Sequence, residues 1–129
     1  MDGMERGAVT DFAILIGAIL LMTYSNIVMK SRAVINSGPL HSTSVSNYLL
    51  AMLCDPIVWS AGVATAAAAI FWVLAIRRVD LSVAQPMLAS IFVAVPLLAA
   101  YFLGEALPPL RIVGLFLIAS GVFIVARTA

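Results

Sequence analysis

A group of polar side chains near the end of the first apolar segment contains the residue types best suited to binding chemistry. The stretch "TYSNIVMKSR", residues 23–32, follows "FAILIGAILLM", which has no charge and no side-chain hydrogen-bonding group. In a helix, Thr23, Asn26 and Lys30 lie on one face, within about 60° of one another. A lysine beside hydroxyl and amide groups is suited to an anion such as a phosphate, because charge-assisted hydrogen bonds are stronger than neutral ones.

The same three residues also have a structural interpretation, and the sequence leaves both open. A lysine near the end of a membrane helix extends its ammonium group to the lipid headgroups. Asn and Thr side chains join neighbouring membrane helices through hydrogen bonds. The pattern therefore predicts either the wall of a substrate cavity or a snorkelling lysine with two packing residues.

The composition indicates a membrane protein. Of the 129 residues, 64% are hydrophobic and 10% are charged, and the mean hydropathy is +1.14. Soluble domains average about 45–50% apolar and about 25% charged residues. A net charge of +1 offers no basic field for nucleic acid. A single cysteine, Cys54, and a single histidine, His41, argue against an internal disulfide and a metal site.

No pattern in the chain suggests covalent chemistry. We find no nucleophile–base pair and no cluster of metal ligands, so we expect no catalytic residue, no metal and no cofactor. The start of the chain is acidic and lacks the basic region of a cleavable signal. We therefore expect the first apolar segment to remain in the protein.

Four apolar segments are long enough, or nearly so, to cross a bilayer. A hydrocarbon core of about 30 Å needs roughly 20 residues of helix, and helices satisfy their own backbone hydrogen bonds in lipid. The predicted helices cover residues 12–30, 57–76, 81–103 and 110–126. Asp55 suits the N-cap of the second helix and Pro56 its first position. We predict an all-α membrane protein with one four-helix transmembrane domain, residues 1–129.

Two features add detail to this bundle. Pro96 lies in the middle of the third predicted helix, where it removes a backbone hydrogen bond and favours a kink. The apolar stretch Tyr48–Cys54 precedes the second helix, and we predict a short interfacial helix there.

The distribution of positive charge sets the predicted topology. Four helices place both termini on one side of the membrane. Four positive residues belong to that side and three to the other: Arg6, Arg77, Arg78 and Arg127 against Lys30, Arg32 and Arg111. This difference favours cytoplasmic termini by one charge. Such a small bias is compatible with insertion in both orientations and with a dimer of antiparallel subunits.

The stretches "LAIRRVDLSVAQP", a helix ending in "LGE", and "RIVGLFLIASGVFIV" follow one another within residues 71–127. They resemble the second half of the four-helix unit in EamA-like and small multidrug resistance-like proteins of the drug/metabolite transporter superfamily. "GAILLMTYSNIVMK", residues 17–30, resembles the first helix of small multidrug resistance proteins. The resemblance implies a small multidrug resistance-like bundle that works as a homodimer or as a heterodimer with a homologous subunit.

One departure from the drug exporters is informative. Their first helix carries an essential glutamate, and the aligned position here is Met22. The acidic residues from position 11 onward all lie at segment ends: Asp11, Asp55, Asp80 and Glu105. Cationic drugs and proton antiport both require an acidic group within the membrane. The departure argues against multidrug efflux.

The ending "NIVMK" resembles the first helix of short EamA-like subunits, including the paired subunits that translocate aminoarabinose linked to undecaprenyl phosphate. The resemblance implies that Lys30, with Asn26 and Thr23, meets the phosphate of a lipid-linked sugar. Gln85 in "AQP" stands where that family commonly has a tyrosine, and we expect it to line the path. The predicted function is translocation of a polyprenyl-phosphate-linked sugar, or a similar anionic lipid, across the bacterial inner membrane.

Two other functions remain open. Efflux of small cations or polyamines requires an acidic group in the cavity, for which Glu105 and Asp11 are the candidates. A non-transporting accessory subunit would tolerate loss of Lys30 and depend instead on the face formed by Gly114 and Gly121. Those glycines share one face of the fourth helix, so they predict either a dimer contact or close internal packing.

Overall fold

A computed structural model describes residues 2–36 and 44–127 of the chain, so His41 lies outside the described residues. The elements are all helices: α1 (Asp2–Asn36), α2 (Val45–Cys54), α3 (Pro56–Ala75), α4 (Leu81–Leu88), α5 (Ile91–Leu103) and α6 (Pro109–Ala126). Four stretches are long and apolar enough to span a membrane: Val9–Asn36, Pro56–Ala75, Leu81–Leu103 and Pro109–Ala126. The predicted all-α, four-span fold class is confirmed.

The first helix extends beyond its predicted end at residue 30, because polar contacts hold its last turns. The Arg32 Nε lies 3.7 Å from the Asp55 carboxylate, and the Asn36 amide donates to the same carboxylate oxygen at 3.2 Å. Asp55 also caps α3 by accepting the Ile57 N–H at 2.9 Å, with Pro56 in the first turn, as the sequence predicts. This backbone hydrogen bond is the main reason why the pKa of the Asp55 carboxyl lies below its usual value.

Small residues form the contact between α1 and α3, which run antiparallel. Their shared surface is buried, and its apolar members are Leu15, Ala18, Ala61, Ala64 and Ala68. The Ser25 hydroxyl donates to the Ala61 carbonyl at 3.0 Å and lies 2.7 Å from the Thr65 hydroxyl. Small side chains let membrane helices approach closely, and such hydrogen bonds join them. The two helices therefore form a tightly connected pair.

The third span is divided into α4 and α5 at Ala89–Ser90, where the backbone forms a 3₁₀-like turn with φ and ψ of −61° and −15° at Ala89 and −57° and −22° at Ser90. Two short-range hydrogen bonds mark it: Ser90 N–H to Met87 O at 3.1 Å, and Phe92 N–H to Ala89 O at 2.9 Å. The sequence placed the kink at Pro96, which instead lies inside α5. Pro96 leaves the Phe92 carbonyl without its helical donor, and the break falls within one turn of Phe92. The third span is therefore interrupted, but at Ala89–Ser90, before Pro96 in the chain.

The last helix packs on α4 and α5 through one side only. Leu115 is its buried residue, whereas Leu110, Phe116 and Leu117 are exposed on the outside, as expected of a lipid-facing surface. A side chain built at Gly114 or Gly121 would meet no atom within 4 Å. Among the described residues, no neighbouring helix therefore lies against the position that a Cβ would take at either glycine.

Candidate functional site

A cavity of about 420 Å³ lies between α1 and the broken α4–α5 helix. Its lining includes Met22 and Asn26 from α1 together with Gln85, Phe92 and Pro96 from the other wall. The structure thus brings two of the predicted site residues, Asn26 and Gln85, to one cavity. Met22, at the position where drug exporters carry their glutamate, also faces this space.

A second cavity of about 290 Å³ continues the first toward one end of the bundle. The two cavities share Asn26, Val95 and Pro96 in their linings. The charged residues that the second adds are Lys30, Glu105 and Arg111. We call the two together the α1–α5 groove, and the part lined by Lys30, Glu105 and Arg111 its mouth. The groove is uncharged along its length and charged only at the mouth.

An ion pair occupies the mouth of the groove. The Lys30 Nζ lies 3.1 Å from a carboxylate oxygen of Glu105, and the two side chains are 53% and 37% exposed. Arg111, in the same lining, donates to the Ala106 carbonyl at 3.4 Å. Both members of the pair remain accessible. A charged group of a ligand can therefore replace the carboxylate beside the Lys30 ammonium, or the ammonium beside the Glu105 carboxylate.

The turn after α5 positions Glu105. Gly104 ends the helix with φ of 68°, a left-handed conformation that glycine adopts without strain. The Glu105 N–H then donates back to the Ala99 carbonyl at 3.4 Å, which returns the chain toward α1. The glycine in "LGE" is the sequence signal for this turn. The motif predicts a helix end there but does not indicate a partner for the glutamate.

The polar side chains of α1 lie in three different environments. Tyr24 and Ser25 face α3, where the Tyr24 hydroxyl lies 3.1 Å from that of Ser60. Asn26 lines the groove, and its amide donates to the Met22 carbonyl at 2.8 Å. Lys30 lies at the mouth, one turn beyond Asn26.

Thr23, the third predicted member of the stripe, lies outside the lining of both cavities. It is 6% exposed, and its hydroxyl has no hydrogen-bond partner among the described residues. The helical wheel gives the direction of a side chain but not the neighbour that covers it. Thr23 therefore shares the face of Asn26 and Lys30 without sharing their access to the groove.

Replacing Thr23 by valine is expected to stabilise the protein or leave its stability unchanged. Valine keeps the shape, whereas a buried hydroxyl without a partner costs about 1–3 kcal/mol. Thermal unfolding in detergent measures the effect. The matched control is Ser25→Ala, which loses two hydrogen-bond contacts to α3 and is expected to lower stability by roughly 1 kcal/mol. A marked loss of stability in Thr23→Val would reveal a partner for this hydroxyl.

The remaining titratable candidates lie away from the groove. Asp11 is buried 3.8 Å from the Arg78 guanidinium, near the opposite end of α1 from Lys30. Cys54 is exposed on α2. Within residues 9–36 and 44–127, whose side chains the structure describes, no group of three His, Cys, Asp or Glu could hold a metal ion.

Comparison with curated proteins gives relatives that share one name, "Probable 4-amino-4-deoxy-L-arabinose-phosphoundecaprenol flippase subunit ArnE". The proteins from Pseudomonas aeruginosa and Pseudomonas paraeruginosa are each 37% identical over 79 residues, 61% of this chain and 69% of the relative. The chain belongs to the ArnE family. A further ArnE protein, from Pseudomonas savastanoi pv. phaseolicola, is 33% identical over 81 residues, 63% of this chain and 71% of the relative.

Membership of the ArnE family confirms the resemblance to small drug/metabolite transporter-like subunits. No protein-family model matches the chain, and no solved structure matches it. The ArnE relatives are named as subunits of a transporter rather than as enzymes. With four spans and these relatives, the chain is a multi-pass membrane protein.

Proposed function

We propose that this chain is a subunit of a flippase that moves a polyprenyl-phosphate-linked sugar across the bacterial inner membrane. The observation that carries the proposal is the α1–α5 groove, which is uncharged along its length and has two cations against one carboxylate at its mouth. The ArnE relatives are named for a lipid of this class, a phosphoundecaprenol that bears an amino sugar. The chain acts as a transporter subunit, and no covalent step is part of the proposal.

The level of Lys30 in the bundle suits a lipid phosphate. Arg32, half a turn beyond Lys30, pairs with Asp55, and Asp55 caps the first turn of α3. Lys30 therefore lies close to the level at which the α3 span begins. A phosphate at headgroup depth meets the ammonium there, while the polyprenyl chain remains among the lipid tails.

The uncharged part of the groove suits passage of a headgroup whose charges are already compensated. An isolated charge in the bilayer costs several kcal/mol, so acidic or basic groups within a span normally have a partner. Met22 replaces the acidic residue that a cationic drug would need. Asn26 and Gln85 provide hydrogen-bonding amides for sugar hydroxyls on opposite walls.

A dimer completes the transport path in this proposal. One chain supplies four spans, and alternating access is usually achieved by two related units around a central site. The outer face of α6, with Gly121 exposed and open space beside the Cα of Gly114, is available for a second copy or for a homologous subunit in parallel or antiparallel orientation.

Reconstitution into liposomes tests the proposal directly. The protein, alone or with a homologous partner subunit, is inserted into vesicles that contain a fluorescent polyprenyl-phosphate sugar, and a membrane-impermeant reagent reports its movement between leaflets. We expect Lys30→Ala to slow translocation by roughly 10- to 100-fold, because a hydrogen bond to a charged group contributes about 1.5–3 kcal/mol.

Arg32→Ala is the matched control for this experiment. It removes the same charge from the same end of α1, but Arg32 pairs with Asp55 and is not part of the groove lining. Folded Arg32→Ala should translocate at the wild-type rate. Equal rates for wild type and Lys30→Ala would contradict the role of the lysine. Absence of translocation by the folded wild type, with or without its partner, would favour an accessory subunit instead.

Efflux of small cations is a second candidate, and one observation favours it. Glu105 lines the groove, which is where that function needs an acidic group. The carboxylate is, however, compensated by Lys30 at 3.1 Å and shares its cavity with Arg111. The other candidate, Asp11, lies beside Arg78 near the far end of α1. The same vesicles loaded with a polyamine distinguish the two functions.

A further inference from the structure

We infer that Glu105 determines substrate specificity: its carboxylate receives a positively charged amino group on the sugar, while Lys30 and Arg111 bind the phosphodiester. This assignment rests on the proposed function. The amino sugar is already part of the name that the ArnE relatives carry, and the inference adds the residue of this chain that receives its ammonium group.

The position of Glu105 needs an explanation beyond stability. An exposed ion pair contributes little to folding, about 0–1 kcal/mol. A carboxylate at the mouth of a groove for an anionic lipid also repels the phosphate that Lys30 is to bind. Yet Glu105 lies 3.1 Å from the Lys30 ammonium and lines the same cavity. A group that weakens phosphate binding is useful there only if it has a second partner in the bound state.

A zwitterionic headgroup provides a new partner for both members of the ion pair at the mouth. Before binding, Lys30 and Glu105 compensate each other. After binding, the phosphodiester takes the place of Glu105 beside Lys30, and the sugar ammonium takes the place of Lys30 beside Glu105. Lys30 and Glu105 each have an oppositely charged partner in both states, which matters near a bilayer because an unpaired charge is costly where water is scarce. Arg111, which among the described residues donates only to the Ala106 carbonyl before binding, gains the phosphodiester as a counter-charge. A neutral sugar on the same phosphate would offer Glu105 no cation in place of Lys30.

The space at the mouth agrees with a headgroup of this kind. The second cavity has about 290 Å³, close to the lower end of the range of small-molecule sites, about 300–1,000 Å³. Asn26 lies between this cavity and the deeper one, so a sugar held at the mouth can reach its amide.

The test compares two lipid probes in reconstituted vesicles. One is a polyprenyl-phosphate amino sugar with a free amine, and the other is the same lipid with the amine acetylated, which removes the positive charge. We expect wild type to translocate the free-amine probe roughly tenfold faster or more. Glu105→Gln should reduce this ratio to about one by slowing the free-amine probe alone. Glu105→Asp, which keeps the charge, should retain a preference for the amine.

Thermal unfolding of each variant shows that the protein is folded, and the ratio between probes is insensitive to the amount of active protein. If wild type moves both probes equally, or if Glu105→Gln slows both by the same factor, Glu105 is only a partner of Lys30. The inference is then overturned, whereas the flippase proposal stands. If folded wild type, with its partner subunit, moves neither probe, both proposals fail.

Discussion

Exchange of the two charges at the mouth, in the double variant Lys30→Glu/Glu105→Lys, is expected to restore folding but not transport. The ion pair can form again with its members reversed, because the two groups are accessible and 3.1 Å apart. The groove wall on α1, however, now carries a carboxylate where a phosphate should bind. We expect transport to stay at least about tenfold below wild type, since a charged hydrogen bond is replaced by repulsion.

The single variants show how much of the change in stability and in transport comes from loss of the ion pair. Lys30→Glu places two carboxylates together and Glu105→Lys places two ammonium groups together, so each is expected to lose some stability and transport. Thermal unfolding in detergent and lipid translocation in vesicles are measured on the same preparations. If the double variant regains wild-type transport as well as stability, the pair serves only the structure. The snorkelling and packing interpretation of Lys30 would then be correct.

Enlarging Ala61 is expected to have the largest effect on folding. Ala61 is 0% exposed, and its carbonyl accepts hydrogen bonds from Ser25 and from Thr65. A leucine there cannot be accommodated without separating α1 from α3. Overpacking costs typically about 1–3 kcal/mol at one site. In the double variant Ala61→Leu/Ala68→Leu, two turns of the contact are disturbed, and we expect no folded protein.

Ala66→Leu provides the matched control on the same helix. Ala66 is exposed, so the same added carbons project away from the buried contact. Size-exclusion profiles and thermal unfolding in detergent should separate the two variants clearly. If Ala61→Leu were as stable as Ala66→Leu, the close approach of α1 and α3 described above would be wrong.

The fold class was predictable because it depends on composition and segment length. Four apolar runs in a chain with few charges leave helices as the solution in lipid. Helix ends were less predictable, since α1 continues through Ser31 and Arg32 to Asn36. Hydropathy detects where a segment leaves the lipid, whereas a helix ends where its hydrogen bonds end. The cap at Asp55 was predictable because it depends only on neighbouring residues.

The candidate site was predictable only in part, for a similar reason. Helical periodicity predicts that Asn26 and Lys30 lie on one face, and the family resemblance implies a role for Gln85. The pairing of Lys30 with Glu105 could not be predicted, because it depends on how α1 packs against α5 and on the turn at Gly104. The burial of Thr23 was missed because periodicity does not reveal which neighbour covers a face.

The 3₁₀-like turn at Ala89–Ser90 has a consequence for the shape of the groove. Ala89 lies in the groove lining, and lining residues occur on both sides of the turn, so the angle between α4 and α5 sets the groove width. The opposite wall belongs to α1, which hydrogen bonds and small-residue packing fix to α3. The groove therefore has one wall that a second helix holds in place and one wall whose helical hydrogen bonding is interrupted within the lining.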